Sequence, residues 1–459
     1  MTAAQIVESF RTGETDPVET LELSLQQATS LESVFLTFTE KRARAEAEAS
    51  AKRWRLGQPL SALDGVAIAW KDLFDVEGTA TTAGSTIFQR KRPPAFADAE
   101  VVACAARAGM VCIGKTNLPE FAYSGLGLNP HFGTPHNPYS GETARIPGGS
   151  SSGSAVAVAR RVVPISVGTD TAGSIRVPSA FCGVTGFRSS TDRYSKVGVF
   201  PLAASIDSLG PLAHSVEDCI LMDAIMRGAS PVRSDGEARL VIDPVILEDP
   251  RIEEDVRNNL EQMVVSLRNA GVQVVREKLE SLHAVLDVIA RFGWLGAAEA
   301  FTLHEELLGS KDAARIDPCV RSRLESARKM PLTALVKLLW ARKELMAQIR
   351  DELSDRILIL PTVGHVAPEL APLERAAKEQ VGQFLAMNFA TLRLTMIGSF
   401  LDMPGVSMPT GLNREGLPTS MLLSGLSGED DHLLAVAERV ERVATIQGSE
   451  DVAIALRLS

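Results

Sequence analysis

Two short segments of this 459-residue chain concentrate groups that can do chemistry. The first is Pro147-Gly148-Gly149-Ser150-Ser151-Ser152-Gly153-Ser154, followed by a run of small residues from Ala155 to Ala159. The second is Gly168-Thr169-Asp170-Thr171-Ala172-Gly173-Ser174-Ile175-Arg176-Val177-Pro178. Both set serines among glycines, where backbone N–H groups can come close to a ligand. Taken singly, such a loop is more often a flexible turn than a site. A serine hydroxyl is a weak nucleophile at neutral pH and needs a base. Upstream, Lys71 ends the apolar run Gly65-Val66-Ala67-Ile68-Ala69-Trp70 and precedes Asp72. A lone lysine in such a place usually snorkels to the surface.

One nucleophile motif lies inside the first loop. Gly149-Ser150-Ser151-Ser152-Gly153 fits G-x-S-x-G, with Ser151 as the nucleophile, and several histidines follow it, among them His214, His283, His304, His365 and His432. That elbow needs a strand directly before it. The preceding residues, from His136 to Gly148, read as a loop, so the elbow is set aside.

Further pieces complete a pattern. Thr81-Thr82-Ala83-Gly84-Ser85 follows the lysine, and Gly114-Lys115-Thr116-Asn117-Leu118-Pro119-Glu120-Phe121-Ala122 comes before the first loop. In this order the segments resemble the amidase signature family. The resemblance is strong from about residue 60 to 220 and visible again at Leu358 to Thr362 and Pro404 to Pro409. It implies a large mixed, mainly parallel β-sheet between layers of α-helices. It also implies a catalytic triad of Lys71, Ser150 and Ser174, with a cis peptide bond entering Ser150 and Ser174 as the nucleophile. The backbone N–H groups of Thr171, Ala172, Gly173 and Ser174 would form the oxyanion hole. Asp170 and Arg176 would brace that loop, and Asp72 would help fix the strand end.

A free lysine has a pKa of about 10.4, and burial penalises its charged form. A neutral Lys71 would take a proton from Ser150, which takes one from Ser174. The reaction implied is cleavage of a C–N bond in a small amide, carbamate or urea-type substrate through an acyl-enzyme, the urethane-cleaving members included. The A subunit of a glutamyl-tRNA amidotransferase, which needs partner subunits, fits the same motifs, and a non-catalytic binding paralogue is the reading from another class. Three segments depart from the common pattern: Ser152 and Ala172 stand where glycine is usual, and Gly186-Phe187-Arg188-Ser189 replaces G-[LF]-K-P. The substrate pocket is expected from Ala122, Tyr123, Ser124, Gly125 and Leu126, continuing to Gly127 and Leu128, and from the divergent C-terminal half. Tyr123, Leu126 and Leu128 suggest an apolar or aromatic acyl group, although Leu128 also reads as core.

Composition narrows the classes. Charged residues are 23% and hydrophobic residues 45%, as in soluble globular proteins. A net charge of −10 with no basic run argues against nucleic-acid binding. The N-terminus has no basic region leading into an apolar stretch, so no signal peptide is expected, and no apolar run reaches membrane length. The five cysteines are scattered and read as free thiols in a cytoplasmic protein. No His-x-x-x-His pattern suggests a metal, and no cofactor is expected. Oligomeric state is not legible, although a homodimer is common in the resembled family.

The elements that must position these groups follow from periodicity. Residues 3 to 55 read as helical, with Asp16-Pro17 as a helix start and Lys41 to Arg55 rich in helix formers. Beyond residue 63, strands alternate with helices: Gly65–Trp70, Met110–Gly114, Val162–Gly168, Arg239–Leu247, Val272–Val275 and Ile357–Leu360 as strands, Ala97–Ala108, Glu254–Ala270 and Leu332–Leu353 as helices. This alternation argues for an α/β fold. One domain over 1–459 is expected, with core motifs at about 60–220, a helical N-terminus at 1–58 and a divergent substrate-shaping region at about 230–400.

Overall fold

The computed structural model describes residues 1–232 and 239–448, with side chains as far as 444. The remaining parts of the 1–459 span lie outside the described residues. The strands are β1 (Phe35–Phe38), β2 (Ala67–Lys71), β3 (Val111–Thr116), β4 (Ile165–Asp170), β5 (Thr185–Arg188), β6 (Ser208–Ala213), β7 (Arg239–Ile242), β8 (Gln273–Arg276), β9 (Ile357–Pro361), β10 (Gly405–Leu412) and β11 (Pro418–Ser424). They form one 11-stranded sheet in the order β1-β3-β2-β4-β6-β5-β10-β11-β9-β7-β8. The sheet is mixed. Parallel pairing is confined to two trios, β3-β2-β4 and β9-β7-β8. The strands between them run antiparallel, because β10 and β11 are joined by a hairpin and β5 and β6 pair antiparallel to each other and to their neighbours.

Alternation along β2 decides what faces what. Ile68 and Trp70 join one core with Ile165, Val167 and the helices Glu100–Arg107 and Val216–Arg227. Ala67 and Ala69 join the core on the other face, with Ala43 and Ala47 of the helix Glu40–Arg55 and the apolar residues of Ser152–Ala159. A period of two residues puts Lys71 on this second face, at the end of the strand. The helix Ser152–Ala159 lies close on that face because its residues are small. A Cβ on Gly153 would stand 2.5 Å from Val34 O and 2.6 Å from Asn117 N. A third core gathers β7 and β9 side chains with the C-terminal helices, among them Leu332–Leu353 and Val381–Phe400.

The helix boundaries follow capping chemistry. Asp16 accepts from Val18 N and Glu19 N and starts Pro17–Ser30. Two expectations are corrected. The helical N-terminus is interrupted by β1, an edge strand held by the ladder of β3. The strand from Arg239 stops at Ile242, because Asp243 caps a short helix, Pro244–Leu247, with Pro244 at its start.

Candidate active site

Lys71 is fully buried at the end of β2. Its Nζ lies 2.7 Å from Ser150 Oγ and 2.8 Å from Thr169 Oγ1. No carboxylate pairs with it at contact distance among the described residues. Burial lowers its pKa from 10.5 to about 7, and the more distant charges of Asp170 and Asp207 pull the other way. A lysine held there exchanges a proton at neutral pH, which an exposed lysine does not. The peptide bond Gly149–Ser150 is cis. Ser151 N–H donates to Ser174 C=O at 3.0 Å, which joins the two loops. Ser174 Oγ has no hydrogen-bond partner among the described residues, and Ser174 lines a pocket.

The second loop is ordered around one carboxylate. Asp170 accepts from Gly173 N at 2.7 Å and from Ile175 N at 3.1 Å. It also receives Nε and Nη2 of Arg176, both at 2.9 Å. Burial pushes its pKa up, but Arg176 and Arg188 outweigh burial and hold it at about 2. Asp170 and Arg176 therefore brace the turn, in the buried core behind it.

Of the four N–H groups expected at the oxyanion hole, Gly173 is corrected. Its N–H is committed to Asp170, and the residue does not reach the pocket. Its φ of +139° and a Cβ position 2.2 Å from Thr395 Oγ1 explain why glycine stands there. Thr171, Ala172 and Ser174 all line the pocket, and their N–H groups have no acceptor among the described residues. Ala172 keeps a negative φ, so the loss of a glycine there is harmless. Ser152 is likewise accommodated, its hydroxyl donating to Asn117 O at 3.3 Å.

Asp72 is buried against Lys115, with 2.6 Å between Oδ1 and Nζ, and accepts from Thr82 N at 3.0 Å. Arg188 is buried behind the site rather than in the pocket. It donates to Met403 O at 2.7 Å and lies 3.8 Å from Asp170. Ser151 is not an elbow nucleophile: no strand enters it, and its hydroxyl donates to Thr169 O at 3.3 Å.

A family model described as Amidase matches residues 19–434. The chain belongs to the amidase family. It is 31% identical to the 2-amino-5-chloromuconic acid deaminase of Comamonas testosteroni, over 89% of this chain and 88% of that one. It is 32% identical to the mandelamide hydrolase of Pseudomonas putida, over 84% and 80%. A solved amidase structure superposes with a TM-score of 0.84 at 30% identity, covering 96% of this chain and 99% of that one. This amidase is accordingly an amidohydrolase, acting on C–N bonds other than peptide bonds. No helix among the described residues is long and apolar enough to cross a membrane.

The pocket beside Ser174 spans about 310 Å³ when the open solvent at its mouth is counted. Ala122, Tyr123, Ser124 and Gly125 line it beside Ser174. Leu126 does not: it is fully buried in the core with Val177 and Phe181. Leu128 joins the same core. Phe121 and Ala122, both with positive φ, form a backbone turn where this wall begins. Asn388 fixes this wall by accepting from Gly125 N at 2.7 Å.

Leu202, Trp294, Gly296, Arg323 and Leu392, none singled out from the sequence, also line the pocket. Arg323 is the most consequential. Its guanidinium lies 3.8 Å from the Tyr123 ring centroid, and Nη1 donates to Tyr123 O. No carboxylate pairs with Arg323 among the described residues. Arg323 thus adds one cation to a lining that includes the apolar and aromatic side chains of Tyr123, Leu202, Trp294 and Leu392. No local spacing marks Arg323, which lies on the arginine-rich helix Pro318–Arg328.

Proposed function

We propose that this amidase works through Lys71, Ser150 and Ser174 on a small substrate that carries a carboxylate near the scissile C–N bond. The observation that carries the catalytic part is the buried Lys71 amine 2.7 Å from Ser150 Oγ, beside a pocket that Ser174 lines. Neutral Lys71 takes the Ser150 proton as Ser150 takes the proton of Ser174, and Ser174 Oγ bonds to the carbonyl carbon. Rotation about the Ser174 Cα–Cβ bond brings its hydroxyl to Ser150; such contacts commonly tighten only with substrate bound. The N–H groups of Thr171, Ala172 and Ser174 hold the oxyanion. Collapse breaks the C–N bond, and the amine leaves with the proton returned from Lys71 through Ser150. Water, deprotonated along the same relay, then releases the acid from the acyl-enzyme.

Arg323, which has no carboxylate partner among the described residues, supports the carboxylate. A guanidinium in a partly desolvated pocket takes a planar anion through two parallel N–H bonds. The name of the Comamonas relative, a muconic acid deaminase, is in keeping with this. A panel of anilides, carbamates, ureas and primary amides, each with and without a neighbouring carboxylate, tests the reading. Hydrolysis confined to neutral compounds refutes the carboxylate, and full activity of Ser174→Ala refutes the relay. Glutaminase activity appearing only with partner subunits would favour the amidotransferase reading instead.

A further inference from the structure

Asp207 is a buried carboxylate that the relay does not use. It sits just before β6, and no cation pairs with it at contact distance among the described residues. Oδ1 accepts from Thr171 Oγ1 at 2.5 Å. Oδ2 accepts from Leu202 N at 2.8 Å and from Ala203 N at 3.0 Å. Three donors and no acceptor fit the ionised form. The two residues it ties together, Thr171 and Leu202, both line the pocket around Ser174. Thr171 also carries one of the three uncommitted N–H groups of the turn.

Resting on the relay reading above, we propose that Asp207 is a positioning residue. It anchors the first oxyanion donor to the pocket wall. Anchoring follows from the contacts. Thr171 follows β4 directly, and beyond it the chain turns through Gly173 without pairing with a strand. Asp170 holds the far side of that turn through Gly173, Ile175 and Arg176, and Asp207 holds the near side through Thr171. The two carboxylates clamp the turn from opposite ends, so the N–H groups between them are aimed before substrate arrives. Preorganised donors of this kind lower a barrier without reorganising during the reaction.

The test needs no known substrate. A fluorophosphonate bonds to Ser174 and places its P=O where the oxyanion would lie, so its labelling rate against pH separates donor placement, read at the plateau, from the base, read at the acid limb. Thr171→Val cuts the anchor; its plateau is expected to fall about 10- to 100-fold with the limb unmoved. Asp207→Asn, which keeps the shape but offers the Thr171, Leu202 and Ala203 donors one acceptor fewer, is expected to lower the plateau by a smaller factor, again with the limb unmoved. A wild-type plateau in either variant, or a plateau loss that comes with a shifted limb, overturns the proposal. If Asp207→Asn does not fold, the Thr171→Val plateau decides. Either failure is distinct from failure of the relay, in which the wild-type enzyme itself shows no labelling of Ser174.

Discussion

The sharpest consequence of the site concerns the charge of one amine. Burial takes Lys71 from 10.5 to about 7, which corresponds to ~5 kcal/mol held against the ammonium form. At pH 7 about half of the molecules then carry a neutral base, against on the order of 3 in 10⁴ for an unperturbed lysine. The labelling rate of Ser174 by a fluorophosphonate should therefore rise about tenfold per pH unit below about pH 7 and level off above it. Lys71→Met leaves Ser150 without a base, so the limb should vanish and the rate at pH 7.5 should fall about 10²- to 10⁴-fold. Lys71→Arg should fare no better, since a guanidinium keeps its proton at any working pH. Stopped-flow or gel-based labelling between pH 5 and 9, with melting curves to confirm folding, gives the answer. A wild-type limb persisting in Lys71→Met, or a wild-type limb near the pKa of a free lysine, refutes the reasoning.

Other outcomes follow from the same geometry. Lys71→Met should lose the rise in melting temperature that the wild type shows between about pH 7 and 10. Folding lowers the lysine pKa, so the unfolded chain binds more protons between about pH 7 and 10.5, and wild-type stability rises with pH across that window. Against the ~4 kcal/mol relieved at pH 7 stand ~1–3 kcal/mol for each of the Ser150 and Thr169 hydroxyls left short of a partner, ~2–6 in all, so the slope with pH is the decisive reading; a wild-type rise persisting in Lys71→Met would contradict this. Arg323→Leu should raise KM about 10- to 100-fold for carboxylate-bearing substrates and leave neutral ones unchanged, as read by paired kinetics. Asp170→Asn should destabilise the fold by about 3–5 kcal/mol in denaturant titrations, since it leaves Arg176 buried without its counter-charge. In the wild type, the stability owed to Asp170 is present above about pH 4 and lost as pH falls towards 2, because its folded pKa lies below the ordinary 3.8.

The strands and helices nearest the chemistry were readable because short-range rules govern them. Alternation placed a strand ending at Lys71, and Asp16-Pro17 marked a helix start that the fold uses. Edge strand β1 was not readable, because Phe35–Phe38 becomes a strand only when β3 offers it a ladder. The hairpin β10-β11 was missed as strands for a similar reason: Pro409 and Pro418 stand within the segment and mask the pattern.

At the site, the sequence by itself determined which residue types meet. The lysine, the two serine loops and their order along the chain are local facts, and their resemblance to a known pattern carried the chemistry. Tertiary structure alone decided the rest. It aimed the Gly173 N–H at Asp170 and away from the pocket, and it turned Leu126 into the core. It also brought Arg323 over Tyr123 and Asp207 to Thr171, residues 200 and 36 positions apart in the chain. Such contacts join elements from different layers, and no periodicity within a single segment encodes a distance between layers.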